Sequence, residues 1–148
     1  MHNTIIKDLE SDNAFTNLTV LTMLRYFINE DIGADIIQAL RKMLKHKMSM
    51  IRRKSLFVMF NIHQQLPHLV EDIKELVLVG FNDPETPVTF GALSLLKLMI
   101  DEDHISFKPH TQKFVELFEK ILDHKFPPEY DYHKVPAPWM QIDLLLIF

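Results

Sequence analysis

LKHKMSMIRRKSL, residues 44–56, is a polar turn between two helix-spaced apolar runs, and the same arrangement returns along the chain. It aligns with LESDNAFTNLTVL (9–21) at an offset of 35 residues and with FNDPETPVTFGAL (81–93) at an offset of 37. A further copy, PWMQIDLL (138–145), follows TPVTFGAL (86–93) at 52. In each copy an amphipathic helix ends, a polar turn follows and a more uniformly apolar helix begins. Helix pairs recurring at this spacing mark HEAT or armadillo-type architecture. One pair cannot bury its apolar surface alone, so neighbours stack into a continuous core. The expected fold is all-α, a HEAT/armadillo-like α-solenoid, with residues 1–148 forming a single segment of it.

Apolar residues recur at three and four throughout, and no stretch alternates cleanly with period two. The periodicity predicts helices over 3–10, 14–29, 33–46, 49–65, 67–81, 87–101, 108–124 and from 138 onward. Ser49 is the expected cap of the fourth, and Pro67, Pro87, Pro109 and Pro138 fall in or near first turns, where a missing N–H costs little. The short connections make neighbouring helices antiparallel. The proline-rich FPPEYDYHKVPAPW (126–139) is expected to be extended, with polyproline-like stretches. The last helix has barely begun when the sequence reaches DLLLIF (143–148), without the polar capping repeat that closes a solenoid. The chain therefore reads as a fragment of a longer superhelix, truncated at its C-terminal end.

Composition sets outer limits. The 47% hydrophobic and 24% charged content are those of an ordinary globular chain. Zero cysteines exclude disulfides and Cys-ligated zinc, and the three glycines make no Rossmann or P-loop spacing. The N-terminus MHNTIIKDLESD lacks the basic and apolar regions of a signal peptide. Apolar runs such as LVLVGF (76–81) fall far short of the ~20 residues that span a bilayer. The expectation is a soluble chain.

The charge is unevenly placed. RKMLKHKMSMIRRK (41–54) holds seven of the sixteen Lys/Arg residues and no acid, leaving nine basic and twenty acidic groups elsewhere, a formal −11. Arg41, Lys42, Lys45 and Lys47 fall at a helix end, where cations complement the dipole. Arg52, Arg53 and Lys54 fall at a helix start, where the dipole disfavours each by about 0.3–1 kcal/mol. An acidic neighbour, a partner's carboxylates or anionic lipid should offset that cost. The tight turn should bring all seven to one edge. A structural junction is the leading reading, with a protein partner or an anionic membrane surface behind it. Nucleic acid is disfavoured by the surrounding negative charge and by the lack of interleaved aromatics.

The other candidates are weaker. No HxxH or HxxxH pair exists, and His63 and His68 are split by Pro67, so no metal site is expected. The acidic 101–103 run beside His104 reads as a solvated helix end, and nothing has the pattern of an activated nucleophile. YHKV (132–135) has the form Tyr-x-x-apolar, but Tyr132 is expected to pack on the fold. Trp139 is expected to anchor the core, and Met23, Met43, Met48, Met50, Met59 and Met99 to fill it.

FPPEYDYHKVPAPWMQIDLL (126–145) also carries a family resemblance. Its VPAPWMQ is close to the VPAPWLQ-type motif in the trunk of large adaptins, the big subunits of heterotetrameric clathrin-type adaptor complexes. IRRKSLFVMFNIHQQLP (51–67) resembles that family's Arg-Lys-Lys-Ala segment with Ser55 in place of Ala, and FNDPETPVTFGALSLL (81–96) is similar to its next junction. The resemblance runs from about Ile5 to Leu146. The YHKVPAPWMQ form most resembles the epsilon type of the fourth adaptor complex. The alpha type tends to have Ser in place of Gln141, and the gamma type lacks the motif's prolines. LLLIF lacks the basic residue that commonly follows the paired leucines.

The resemblance implies a non-enzymatic scaffold in vesicle-mediated protein transport, cytoplasmic and peripheral on trans-Golgi or endosomal membranes. Implied partners are a sigma-type small subunit, a beta-type large subunit, a medium subunit and an Arf-type GTPase, with no cofactor and no small-molecule substrate. Val135, Pro136, Ala137, Pro138, Trp139 and Gln141 become motif residues of structural role. The rival readings are a free-standing HEAT-type module, such as a transport receptor or phosphoinositide-binding protein, and an alpha-type adaptin of plasma-membrane endocytosis.

Overall fold

A computed structural model describes residues 2–148, the side chain of His2 excepted. The chain divides into two compact units, residues 1–92 and 93–148. The first contains α1 (His2–Leu9), α2 (Ala14–Leu24), α3 (Glu30–Met43), α4 (Ser49–Gln65), α5 (Ile73–Phe81) and the first half of α6 (Thr86–Glu102). Consecutive helices pair, α1 packs on α3 and α2 packs on α4, which gives two layers of like-placed helices. Leu9, Leu21, Ile36, Leu40, Ile51, Leu56, Met59 and Ile62 are fully buried between them. This is the helical-repeat fold that the junction spacing implies.

Helix ends follow local chemistry and move several predicted boundaries. Asn13 accepts the Phe15 N–H at 2.9 Å and starts α2, and Asn29 accepts the Ile32 N–H at 3.0 Å and starts α3. The expected 14–29 helix ends at Leu24 with Arg25 as its C-cap, and the second cap begins the next helix at Glu30, three residues early. Ser49 is not a cap. It is the first residue of α4, behind Met48 in extended conformation, and no side chain caps the helix. The His46 ring takes the Met48 N–H at 3.0 Å instead. Pro67 opens the 3-10 turn Pro67–Leu69 and Pro109 is the second residue of the 3-10 turn Lys108–His110, so α5 and α8 start later than predicted. His63 Nδ1 lies 2.9 Å from the buried Val70 carbonyl, to which it donates across the first of these turns.

Helix spacing inside this unit depends on one small residue. A Cβ on Gly80 of α5 would meet Leu56 Cδ2 at 2.6 Å and the Ala92 Cβ at 3.4 Å, so α4 and α6 close on α5 where it has no side chain.

The second unit holds the rest of α6, α7 (His104–Phe107), α8 (Thr111–Leu122), a two-stranded hairpin and α9 (Pro138–Ile147). Leu93, Leu96, Phe114, Ile121 and Leu144 form its core. Phe118 of α8 meets Phe148 edge-on at 6.3 Å, and Lys97 of α6 reaches Asp143 of α9 at 3.5 Å. The hairpin corrects the extended-loop expectation for 126–139. Pro127 and Asp131, on either side of the 3-10 turn Pro128–Tyr130, have polyproline-like angles. Then β1 (Asp131–Tyr132) pairs antiparallel with β2 (Val135–Pro136), Tyr132 opposite Val135. His133 and Lys134 between them both have positive φ, 48° and 68°, the signature of a type I′ turn.

Several side chains expected inside lie outside. Met43 and Met59 are buried and Met99 is half-buried, but Met23, Met48 and Met50 are exposed. Met48 stands in the turn, and Met50 precedes the buried Ile51 by about 100° of helix rotation. Trp139 is 43% exposed for the same reason, because Met140 and Leu144 take the inward positions of α9. Tyr132 is also exposed, its ring against that of His133 in the tight turn.

Candidate interaction surface

The seven cations of 41–54 divide three ways. Arg41 and Lys42 lie in the last turn of α3, Lys45 and Lys47 follow its cap, and Arg52, Arg53 and Lys54 lie near the start of α4, whose first turn has no acid. The arginines reach forward to the next helix pair. Arg41 forks onto Asp72, just before α5, with both N···O distances 2.7 Å. Arg52 forks onto Asp83, in the α5–α6 turn, at 2.7 and 2.8 Å. The lysines at 42 and 54 reach back to the preceding pair, Lys42 to Glu10 and Lys54 to the Thr22 hydroxyl, each at 2.5 Å. Both arginine links span 31 residues and both lysine links 32, so the α3–α4 pair is tied to each neighbour at close to the repeat length.

Arg52 is the centre of the junction. Its Nη1 also donates to the His46 and Lys47 carbonyls at 2.8 and 3.1 Å, satisfying the turn that Ser49 does not cap. The Arg52 and Asp83 side chains are only 14% and 12% exposed, so solvent screens this pair little. Arg41 and Asp72, at 33% and 44%, contribute less. Arg53 instead lies over the Phe57 ring, 5.7 Å from its centroid. Lys45 and Lys47 are exposed.

The fork from Arg52 holds the Asp83 carboxyl below the usual carboxylate range, against the opposing effect of burial. Arg41 does the same to Asp72. The folded state therefore binds these protons less readily than the unfolded chain does. Their stabilisation is complete above the unfolded carboxylate value near pH ~4 and is lost as pH falls through the lower folded values. Urea denaturation midpoints should stay level from neutral pH down to about 5 and then drop, and Asp83→Asn should flatten part of that drop.

The family-motif residues form a second built feature. Ala137, at φ 36°, is buried, and its carbonyl accepts from the Met140 and Gln141 N–H groups at 2.9 and 3.1 Å. A β-branched or bulky side chain would be strained at this left-handed, buried position. Pro136 supplies a carbonyl that the Gln141 side chain reaches at 2.5 Å, and Pro138 opens α9 where no N–H is needed. A serine at 141 would be too short to reach that carbonyl. Val135 closes the hairpin, and Trp139 stays on the surface.

Four further residues of these contacts do not stand out in the sequence. Asp72 and Asp83 had a signal available, since each lies 31 residues beyond an arginine of the ridge. Asn17, 1% exposed, donates to the Asp8, Leu9 and Ser11 carbonyls at 3.0, 2.8 and 3.1 Å and so closes the C-terminal end of α1. Arg25 stands apart in the sequence, and only packing shows its neighbours. Among the described residues, no group of three His, Cys, Asp or Glu could hold a metal ion, and no helix is long and apolar enough to cross a membrane.

Helix pairs laid in two layers and tied pair to pair at repeat spacing define a helical-repeat scaffold. The chain belongs to the family described as the adaptin N-terminal region, whose model matches residues 1–148. It is 30% identical over 145 residues to the AP-4 complex subunit epsilon-1 of Mus musculus and of Homo sapiens, covering 98% of this chain and 13% of each relative. It is 32% identical over 149 residues to the AP-4 complex subunit epsilon of Arabidopsis thaliana, covering 98% and 16%. The chain thus spans less than a fifth of the length of these relatives. The epsilon-type likeness carried by VPAPWMQ extends along the whole chain.

Proposed function

We propose that residues 1–148 are a single α-solenoid segment of an epsilon-type adaptor large subunit, a non-enzymatic scaffold in vesicle-mediated intracellular protein transport. In this reading it works from the cytoplasm, peripheral on trans-Golgi or endosomal membranes. It assembles with a sigma-type small subunit, a beta-type large subunit and a medium subunit, under recruitment by an Arf-type GTPase. The whole-chain likeness to epsilon subunits carries the reading. The cross-tied helix pairs support it, because a scaffold needs repeats held in fixed relation rather than a reactive centre. The immobilised chain should recover sigma, beta and medium adaptor chains from cytosolic extract, identified by mass spectrometry. Recovery of none of them, from a folded bait, would favour a free-standing helical-repeat module.

A further inference from the structure

Three cations that are separate in the sequence meet in one groove. Arg25 caps the C-terminal end of α2, and Arg53 and Lys54 lie near the start of α4. The packing of α2 on α4 leaves a depression of about 250 Å³ that these three line together with Tyr26, Met50 and Phe57. Among the described residues, no carboxylate lies within ion-pair distance of Arg25, Arg53 or Lys54, whereas Arg41, Lys42 and Arg52 each have one. Clustered cations without acids are unexpected in a chain of net charge −4.

The chemistry of the lining selects the occupant. Lys54 gives one donor to Thr22 and keeps two. Arg53, held over the Phe57 ring, keeps a planar set of N–H donors suited to a carboxylate. Tyr26 is 73% exposed and Met50 44%, which leaves large apolar surface beside the charges. We propose that this groove binds an acidic segment of a partner polypeptide. Its carboxylates meet Arg25, Arg53 and Lys54, and an aromatic or branched apolar side chain seats against Tyr26, Met50 and Phe57. Arg53 and Lys54 are half-buried in the recess, which a single extended chain enters and a planar bilayer does not. A phosphate headgroup could bond the same cations but would leave the apolar floor uncovered, whereas a peptide fills both. The proposal does not depend on which adaptor complex the chain serves.

The test uses a fluorescein-labelled peptide with glutamates on both sides of one phenylalanine, titrated with the purified chain by anisotropy. Binding should be saturable and should weaken with salt. It should fall about tenfold or more in Arg25→Glu and in Lys54→Glu, and hold in Lys120→Glu on the exposed face of α8. The same peptide with lysines for glutamates should not bind. A benzoylphenylalanine version should cross-link to Tyr26, Met50 or Phe57. This arm uses the unsubstituted chain, so it decides the matter even if a variant fails to fold. Cross-links elsewhere, or affinities unmoved by both substitutions, overturn the proposal. So does binding of phosphatidylserine-containing vesicles that these variants abolish, if the peptide itself does not bind.

Discussion

Arg52→Glu should lower the stability of the chain by about 3–5 kcal/mol, which for this size shifts the melting temperature by roughly 10 °C or more. The substitution leaves the enclosed Asp83 carboxylate facing another acid and strips the donor from the His46 and Lys47 carbonyls. Arg52→Lys should recover only part of the loss, because an ammonium cannot fork onto both carboxylate oxygens while reaching the turn. Adding Asp83→Arg to Arg52→Glu should restore part of the ion pair but not the turn's hydrogen bonds. Arg53→Glu should cost no more than about 1 kcal/mol, the scale of its contact with Phe57. Thermal and urea melts of the four variants make the comparison. Equal losses for Arg52→Glu and Arg53→Glu would show that the junction does not depend on this one guanidinium.

Asn17→Asp should be at least as damaging, although it changes a single atom type. The Asn17 amide nitrogen serves three carbonyls at the end of α1, in a position almost closed to water. Aspartate removes both donors and sets a carboxylate against three oxygens with no described cation beside it, a loss of about 3–5 kcal/mol near neutral pH. Asn17→Ala removes the donors without adding charge and should cost about 2–3 kcal/mol. The pH response separates the two. In the fold the new carboxyl is held above its unfolded value, so the penalty is full at neutral pH and shrinks as acid protonates it. Asn17→Asp should therefore regain stability relative to Asn17→Ala as pH is lowered towards about 4. Parallel pH dependence in both variants would mean that the site admits water and tolerates the charge.

The repeat was legible because its cause is local and periodic. The polar turn after each amphipathic helix stands in the chain wherever the stack needs a reversal, and the turns at 44–56 and 81–93 fall where the structure puts them. Helix starts were less legible. Ser49 has the composition of a cap, but His46 and Arg52 satisfy that turn from positions no local rule inspects. Pro67 marks a start correctly, yet the turn it opens is a 3-10 turn that does not run on into α5. Trp139 and Met50 show the limit of reading burial from residue type. Each lies one position from a buried neighbour, and on a helix that is a different face.

The basic ridge separates what the two levels decide. The sequence by itself determined a helical repeat of about three dozen residues, the family likeness carried by VPAPWMQ, and the presence of excess positive charge at one turn. These depend on periodicity and residue identity, both of which are properties of neighbours along the chain. Only the tertiary structure decided what each of these charges meets. Arg41 and Arg52 are matched by acids 31 residues further on, while Arg53 and Lys54 join Arg25 in a groove without an acid. A charge acts on whatever lies within a few ångströms in space. In a stacked repeat that distance is set by the packing of one helix pair on the next.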